Sequence, residues 1–205
     1  MGRAAILSAL MVSGLCAVAG SAPAQESAIS PDRQQVSFSR NGTQIAISRS
    51  AAEACPPDCI QPLSLAPDIR TYGELEVLAF LETAVAGGTA LLVDLRAPEA
   101  YAVGTIPGAV NIPEQTLRAD NPYLADLLAA LGLTDPAAPP SFDLVLFADS
   151  ASAPTPAVAI EALRNSGYPA SKLGYYRAGL RGWAALGLST CLLYTSDAAD
   201  DLLCV

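Results

Sequence analysis

Leu92-Val93-Asp94-Leu95-Arg96, then Pro98-Glu99-Ala100-Tyr101, then Gly104-Thr105-Ile106-Pro107-Gly108-Ala109-Val110-Asn111-Ile112-Pro113 is the stretch on which the fold turns. The run Ala90–Asp94 is short, continuously apolar and closed by a carboxylate, as in strands buried on both faces of a parallel sheet. Ala109 to Ile112 reads as a second short strand a helix-length further on. Working toward the C-terminus, Leu144-Val145-Leu146-Phe147 repeats the buried-strand pattern, and a helix is expected over Pro156–Asn165. A strand near Leu173–Tyr176 and a helix over Leu180–Leu186 follow. Another helix fits Pro122–Leu131. Strands alternating with helices predict an α/β domain with a parallel sheet.

Working toward the N-terminus, Thr71-Tyr72-Gly73-Glu74 reads as a capping box, with Thr71 as N-cap of a helix that runs to about Ala86 and stops at Gly87-Gly88. Residues 51–70 form a proline-punctuated connector containing Cys55-Pro56-Pro57-Asp58-Cys59. Residues 25–50 hold a β-hairpin. Val36, Phe38, Ile45 and Ile47 alternate with polar or small residues around Asn41-Gly42, the pair favoured where both central turn residues need φ > 0. Its apolar face is expected to pack on the main domain, because an isolated hairpin is marginal in water.

Both ends are set apart from the fold. Arg3, the apolar run Ala4–Gly20 and Ala22-Pro23-Ala24 make residues 1–24 a secretory signal peptide, cleaved after Ala24. The mature chain is then periplasmic or secreted, with no stable membrane anchor after cleavage. At the other end, Cys191-Leu192-Leu193-Tyr194-Thr195-Ser196-Asp197-Ala198-Ala199-Asp200 resembles the translation of a transposase-type sequencing adapter. Residues 191–205 are therefore read as an assembly scar that should add nothing to stability. Cys55 and Cys59 are the thiols left in the body, residues 25–190.

Composition removes whole classes of chemistry. The 205-residue chain has 20 acidic and 11 basic residues, a formal charge of -9, which argues against nucleic acid as a partner. It has no histidine, so Ser-His-Asp and Cys-His catalysis are both excluded. Lys172 is the sole lysine. Two thiols without histidine supply half of a tetrahedral zinc site, so neither metal nor cofactor is expected.

The stretches quoted above resemble the N-terminal signature of rhodanese-like domains. Tyr176-Arg177-Ala178-Gly179, Trp183 and Leu186-Gly187-Leu188 are similar to that family's closing segment. The resemblance spans residues 71–190, and Cys55–Pro62 looks like the lead-in of certain secreted members. It implies a rhodanese-like parallel sheet flanked by helices, here preceded by the hairpin. It also implies sulfur transfer through a persulfide on a cysteine placed where a central strand turns into a helix.

That place is Ala148-Asp149-Ser150-Ala151-Ser152-Ala153, and it has no cysteine. Ala148 stands at the expected nucleophile position, and Ala153 where the secreted members carry a second cysteine. Thr105 stands where the family has histidine, and Ala178 replaces the first glycine of a pair. Pro154 and Pro156 lack N–H donors, and Asp149 adds negative charge, so an anionic sulfur donor should be repelled. Ser150 and Ser152 have no base to activate them. Asp94, Arg96, Asp149, Ser150 and Ser152 are the residues of the site face; for Asp94 and Arg96, a pair that orders loops is weighed against a ligand contact. Trp183 and Tyr101 read as core. The expectation is a pseudoenzyme, a non-catalytic module for an unidentified protein or small-molecule partner. The alternative is a sulfurtransferase or thiol-redox protein using Cys55 and Cys59, which otherwise form a disulfide.

Overall fold

A computed structural model describes residues 35–48, 65–134, 139–193 and 202–204. Residues 1–24, expected to be a signal peptide, and Cys55 and Cys59 of the connector lie outside these residues. Five parallel strands form the central sheet: β3 (Arg70–Tyr72), β4 (Ala90–Asp94), β5 (Ala109–Asn111), β6 (Asp143–Phe147) and β7 (Leu173–Tyr176). Their order across the sheet is β3-β7-β6-β4-β5. Helices α1 (Glu74–Phe80), α2 (Pro98–Val103), α3 (Leu124–Ala130), α4 (Thr155–Asn165) and α5 (Gly179–Ala185) make the connections.

Side chains alternate along each strand, so the apolar runs feed two cores. Val93, Leu144, Leu146 and Tyr175 join Ala159, Ile160 and Leu163 of α4 on one face. Leu92, Val145, Phe147 and Tyr176 join Val77 and Phe80 of α1 and Trp183 of α5 on the other. Burial on both faces explains why these strands read as continuous apolar runs. Past α1 the chain continues through a wider-wound turn, Leu81–Val85, in which the Ala86 amide reaches the Leu81 carbonyl. It ends at Gly87-Gly88, where Gly88 has φ +70°.

One boundary is corrected. Thr71 is not a helix cap but the middle residue of β3, paired with Tyr175 in β7. The cap is Gly73, whose amide donates to Glu76 Oε2 at 3.0 Å, so the reciprocal contact lies two residues further on. Glu74 is freed to accept the hydroxyl of Tyr176 at 3.1 Å. Edge pairing outweighs the local capping pattern because it satisfies the backbone of Arg70–Tyr72.

The hairpin has the expected register, with β1 (Gln35–Arg40) antiparallel to β2 (Thr43–Ser48), Phe38 opposite Ile45 and Val36 opposite Ile47. Asn41 and Gly42 take φ 53° and 78°, as the turn requires. Its apolar face is not covered, however. Phe38 is 44% and Ile47 52% exposed.

Cys191–Leu193 forms β8, paired with β9 (Leu202–Cys204). Cys191 is buried and disulfide-bonded, and it exchanges two backbone hydrogen bonds with Thr105, at 2.9 and 3.0 Å. A residue set aside from the fold on sequence grounds thus supplies backbone partners for Thr105.

Among the described residues, no helix is long and apolar enough to cross a membrane. Nor does any group of three or more His, Cys, Asp or Glu among them converge as a metal site.

Candidate functional site

Open parallel sheets place their sites beyond the C-terminal ends of the strands. At the end of β6 the chain enters Ala148, 3% exposed, and then the half-buried residues Asp149–Ala153 before α4 begins. The loop is closed on itself by the Ala153 amide donating to the Ser150 carbonyl at 3.1 Å. Ser150 Oγ and Ser152 Oγ lie 3.0 Å apart. They share a hydrogen bond with each other, and the chain has no histidine to take a proton from either.

The start of α5 holds this loop from the side. Leu180 and Arg181 amides donate to the carbonyls of Ala148 and Asp149 at 3.0 and 2.8 Å. Gly179 makes the approach possible. It has φ +65°, and a Cβ there would lie 2.5 Å from the Ala148 carbonyl oxygen and 2.8 Å from the Ser150 nitrogen. Two carbonyls of the loop are thereby occupied. The amides of Asp149, Ser150, Ala151 and Ser152 donate to no acceptor among the described residues.

Arg181 is the functional neighbour that reading along the sequence misses. Its Nε lies 2.6 Å from Asp149 Oδ2, and the pair offsets the charge expected to repel anions from the loop. The signal was the closing segment itself: Arg181 comes two residues after Gly179, where α5 starts against the loop. Arg177 is the second such residue. It lines an open cleft of about 440 Å³ with Tyr72, Gly73, Glu74, Ala151 and Ala178. Beneath it, the buried Tyr176 hydroxyl is held protonated well above the ordinary tyrosine range, first by desolvation and then by its hydrogen bond to Glu74.

The other site-face residues lie elsewhere. Asp94 ends β4 and is 0% exposed. Both its oxygens are engaged: Arg96 Nη2 lies 2.6 Å from Oδ2 and Arg96 Nε 3.0 Å from Oδ1, while Thr105 Oγ1 donates to Oδ2 at 2.8 Å. Arg96 Nη2 also donates to the Gly104 carbonyl, and Asn111 Nδ2 donates to the carbonyls of Asp94 and Arg96. The carboxylate is therefore enclosed by protein donors. Asp94 and Arg96 are brought together with each other and Thr105; Asp149, Ser150 and Ser152 form the separate β6–α4 loop. Trp183 is buried, with Nε1 donating to the Ser189 carbonyl, and Tyr101 bonds the Ala109 carbonyl.

The family model described as the rhodanese-like domain matches residues 78–186, more than half of the chain. The chain belongs to the rhodanese-like domain family. That family is one of sulfurtransferases. Solved structures similar to this rhodanese-like chain include a Rhodanese_3-like domain from Anabaena sp. It is 20% identical, covers 53% of this chain and 97% of its own, and has a TM-score of 0.38. A human single-domain sulfurtransferase, TSTD1, is 26% identical over 58% of this chain and 97% of its own, with a TM-score of 0.40. A thiosulfate sulfurtransferase from Pseudomonas aeruginosa is 21% identical over 64% of this chain and 22% of its own, with a TM-score of 0.44. No curated protein matches the chain.

Proposed function

We propose that the chain is an exported, non-catalytic binding module on the rhodanese-like fold. One observation carries this reading: the loop that follows β6 contains no thiol, and Ala148 offers a methyl group at its first position. Sulfur transfer through a persulfide requires a thiolate that attacks the donor sulfur and then carries it. A methyl group can do neither, and a serine hydroxyl without a histidine base stays protonated. What the loop retains suits binding: four amides without an acceptor among the described residues, and an aspartate whose charge is met by Arg181. Export is supported by the apolar N-terminal run ending in Ala22-Pro23-Ala24.

The competing reading routes sulfur or electrons through Cys55 or Cys59. A thiosulfate:cyanide assay on the reduced chain separates the two, beside a Cys55→Ser/Cys59→Ser variant. The binding-module reading expects no thiocyanate above the buffer control from either protein. Turnover that disappears in the variant would install the connector thiols as the reacting groups.

A further inference from the structure

The uncovered hairpin carries an inference independent of the loop chemistry. Every residue of β1 and β2 is exposed except the half-buried Val36 and Ile45, and Phe38 and Ile47 present apolar surface to solvent. A two-stranded ribbon needs a covering surface to be stable in water. Its charge states what that surface should be. Along the ribbon, residues 35–48, Arg40 is the one charged residue and it is basic. The main domain supplies the complement on α1 and the turn after it, where Glu76 and Glu82 are exposed carboxylates. Leu75, Glu76, Ala79 and Glu82 are exposed there in helical spacing, and Leu75 is 78% exposed. Among the described residues, nothing covers the apolar ribbon bearing Arg40 or the acidic helix face.

We propose that the hairpin of one copy docks on the α1 face of a second copy. Reciprocal exchange closes a two-fold dimer, because each copy offers one ribbon and one acidic face. A second copy brings the exposed carboxylates of Glu76 and Glu82 within screening range of Arg40.

The test is sedimentation velocity of the full purified chain across protein concentration and ionic strength. A monomer–dimer equilibrium is expected, weakening as salt is raised. Phe38→Ser/Ile47→Ser should raise the dimer dissociation constant roughly tenfold or more, as loss of two buried apolar side chains requires. Leu75→Ser, on the opposite surface of the contact, should do likewise without touching the hairpin's own pairing. Arg40→Glu or Glu82→Lys should each weaken dimerisation roughly threefold, and the two together should recover part of the loss. A monomer at every concentration overturns the proposal, as does a dimer indifferent to Leu75→Ser. A monomer whose hairpin amides are protected from exchange places the ribbon on its own domain and overturns it. So does co-sedimentation with phosphatidylglycerol vesicles without dimer formation.

Discussion

Arg96→Met tests the largest electrostatic commitment in the fold. The substitution keeps an unbranched apolar stem in a side chain that is 10% exposed, but removes the guanidinium from Asp94, which is 0% exposed. Four hydrogen bonds are lost: Nη2 to Oδ2, Nε to both carboxylate oxygens, and Nη2 to the Gly104 carbonyl. The carboxylate keeps only the Thr105 hydroxyl and the backbone amide at position 96, at 2.8 and 3.0 Å. Removing one partner of a buried pair costs about 3–5 kcal/mol. The two surviving hydrogen bonds place this case at about 3–4 kcal/mol, a large share of a domain's stability of about 5–15 kcal/mol. Urea unfolding followed by far-UV circular dichroism should show the midpoint falling by one to several molar, at a typical slope of about 1–3 kcal/mol/M. Adding Asp94→Asn removes the stranded charge and should recover about half of the loss. A cost below about 1 kcal/mol is what a solvent-screened pair gives, and it would refute the enclosure of Asp94.

Gly179→Ala should cost at least about 2 kcal/mol, from φ +65° and a Cβ 2.5 Å from the Ala148 carbonyl, and should shift the amide resonances of 148–152; an unperturbed spectrum would contradict the strapped loop. Tyr176 stays protonated in the folded chain above the ordinary tyrosine value of 10.0, so its contribution is full below pH 10 and is lost as pH rises beyond it. Tyr176→Phe should therefore flatten the alkaline fall in stability, and an unchanged slope would argue against its burial. Deleting residues 191–205 removes the two backbone bonds between Thr105 and Cys191 together with the buried, disulfide-bonded Cys191 side chain, and should cost about 2–5 kcal/mol. A loss below about 1 kcal/mol in calorimetry would contradict that packing and restore the expectation that the segment adds nothing to stability.

The strands were legible because burial on both faces leaves runs such as Leu144–Phe147 with no polar interruption. Asn41-Gly42 was legible because few residue pairs tolerate two positive φ values. β3 was not, since Arg70-Thr71-Tyr72 is three residues long and partly polar, and its strand character comes from β7 beside it. The loop's composition was plain in the sequence, but its electrostatics were not. The charge of Asp149 is countered by Arg181, 32 positions later, through a contact that only the packing of α5 creates. Thr105 was noted as a departure from the family's histidine. Its hydroxyl on Asp94 becomes visible only when β4 and the turn before β5 stand side by side.

The central claim is that this rhodanese-like chain has no group able to carry sulfur in its β6–α4 loop. Intact-mass measurement of the fully reduced chain after exposure to excess thiosulfate addresses it directly, with peptide mapping to locate any adduct. The expected result is no modified peptide spanning residues 143–165, any added sulfur mapping only to peptides that hold one of the chain's five cysteines. A gain of one sulfur atom mapped to that peptide would contradict the claim.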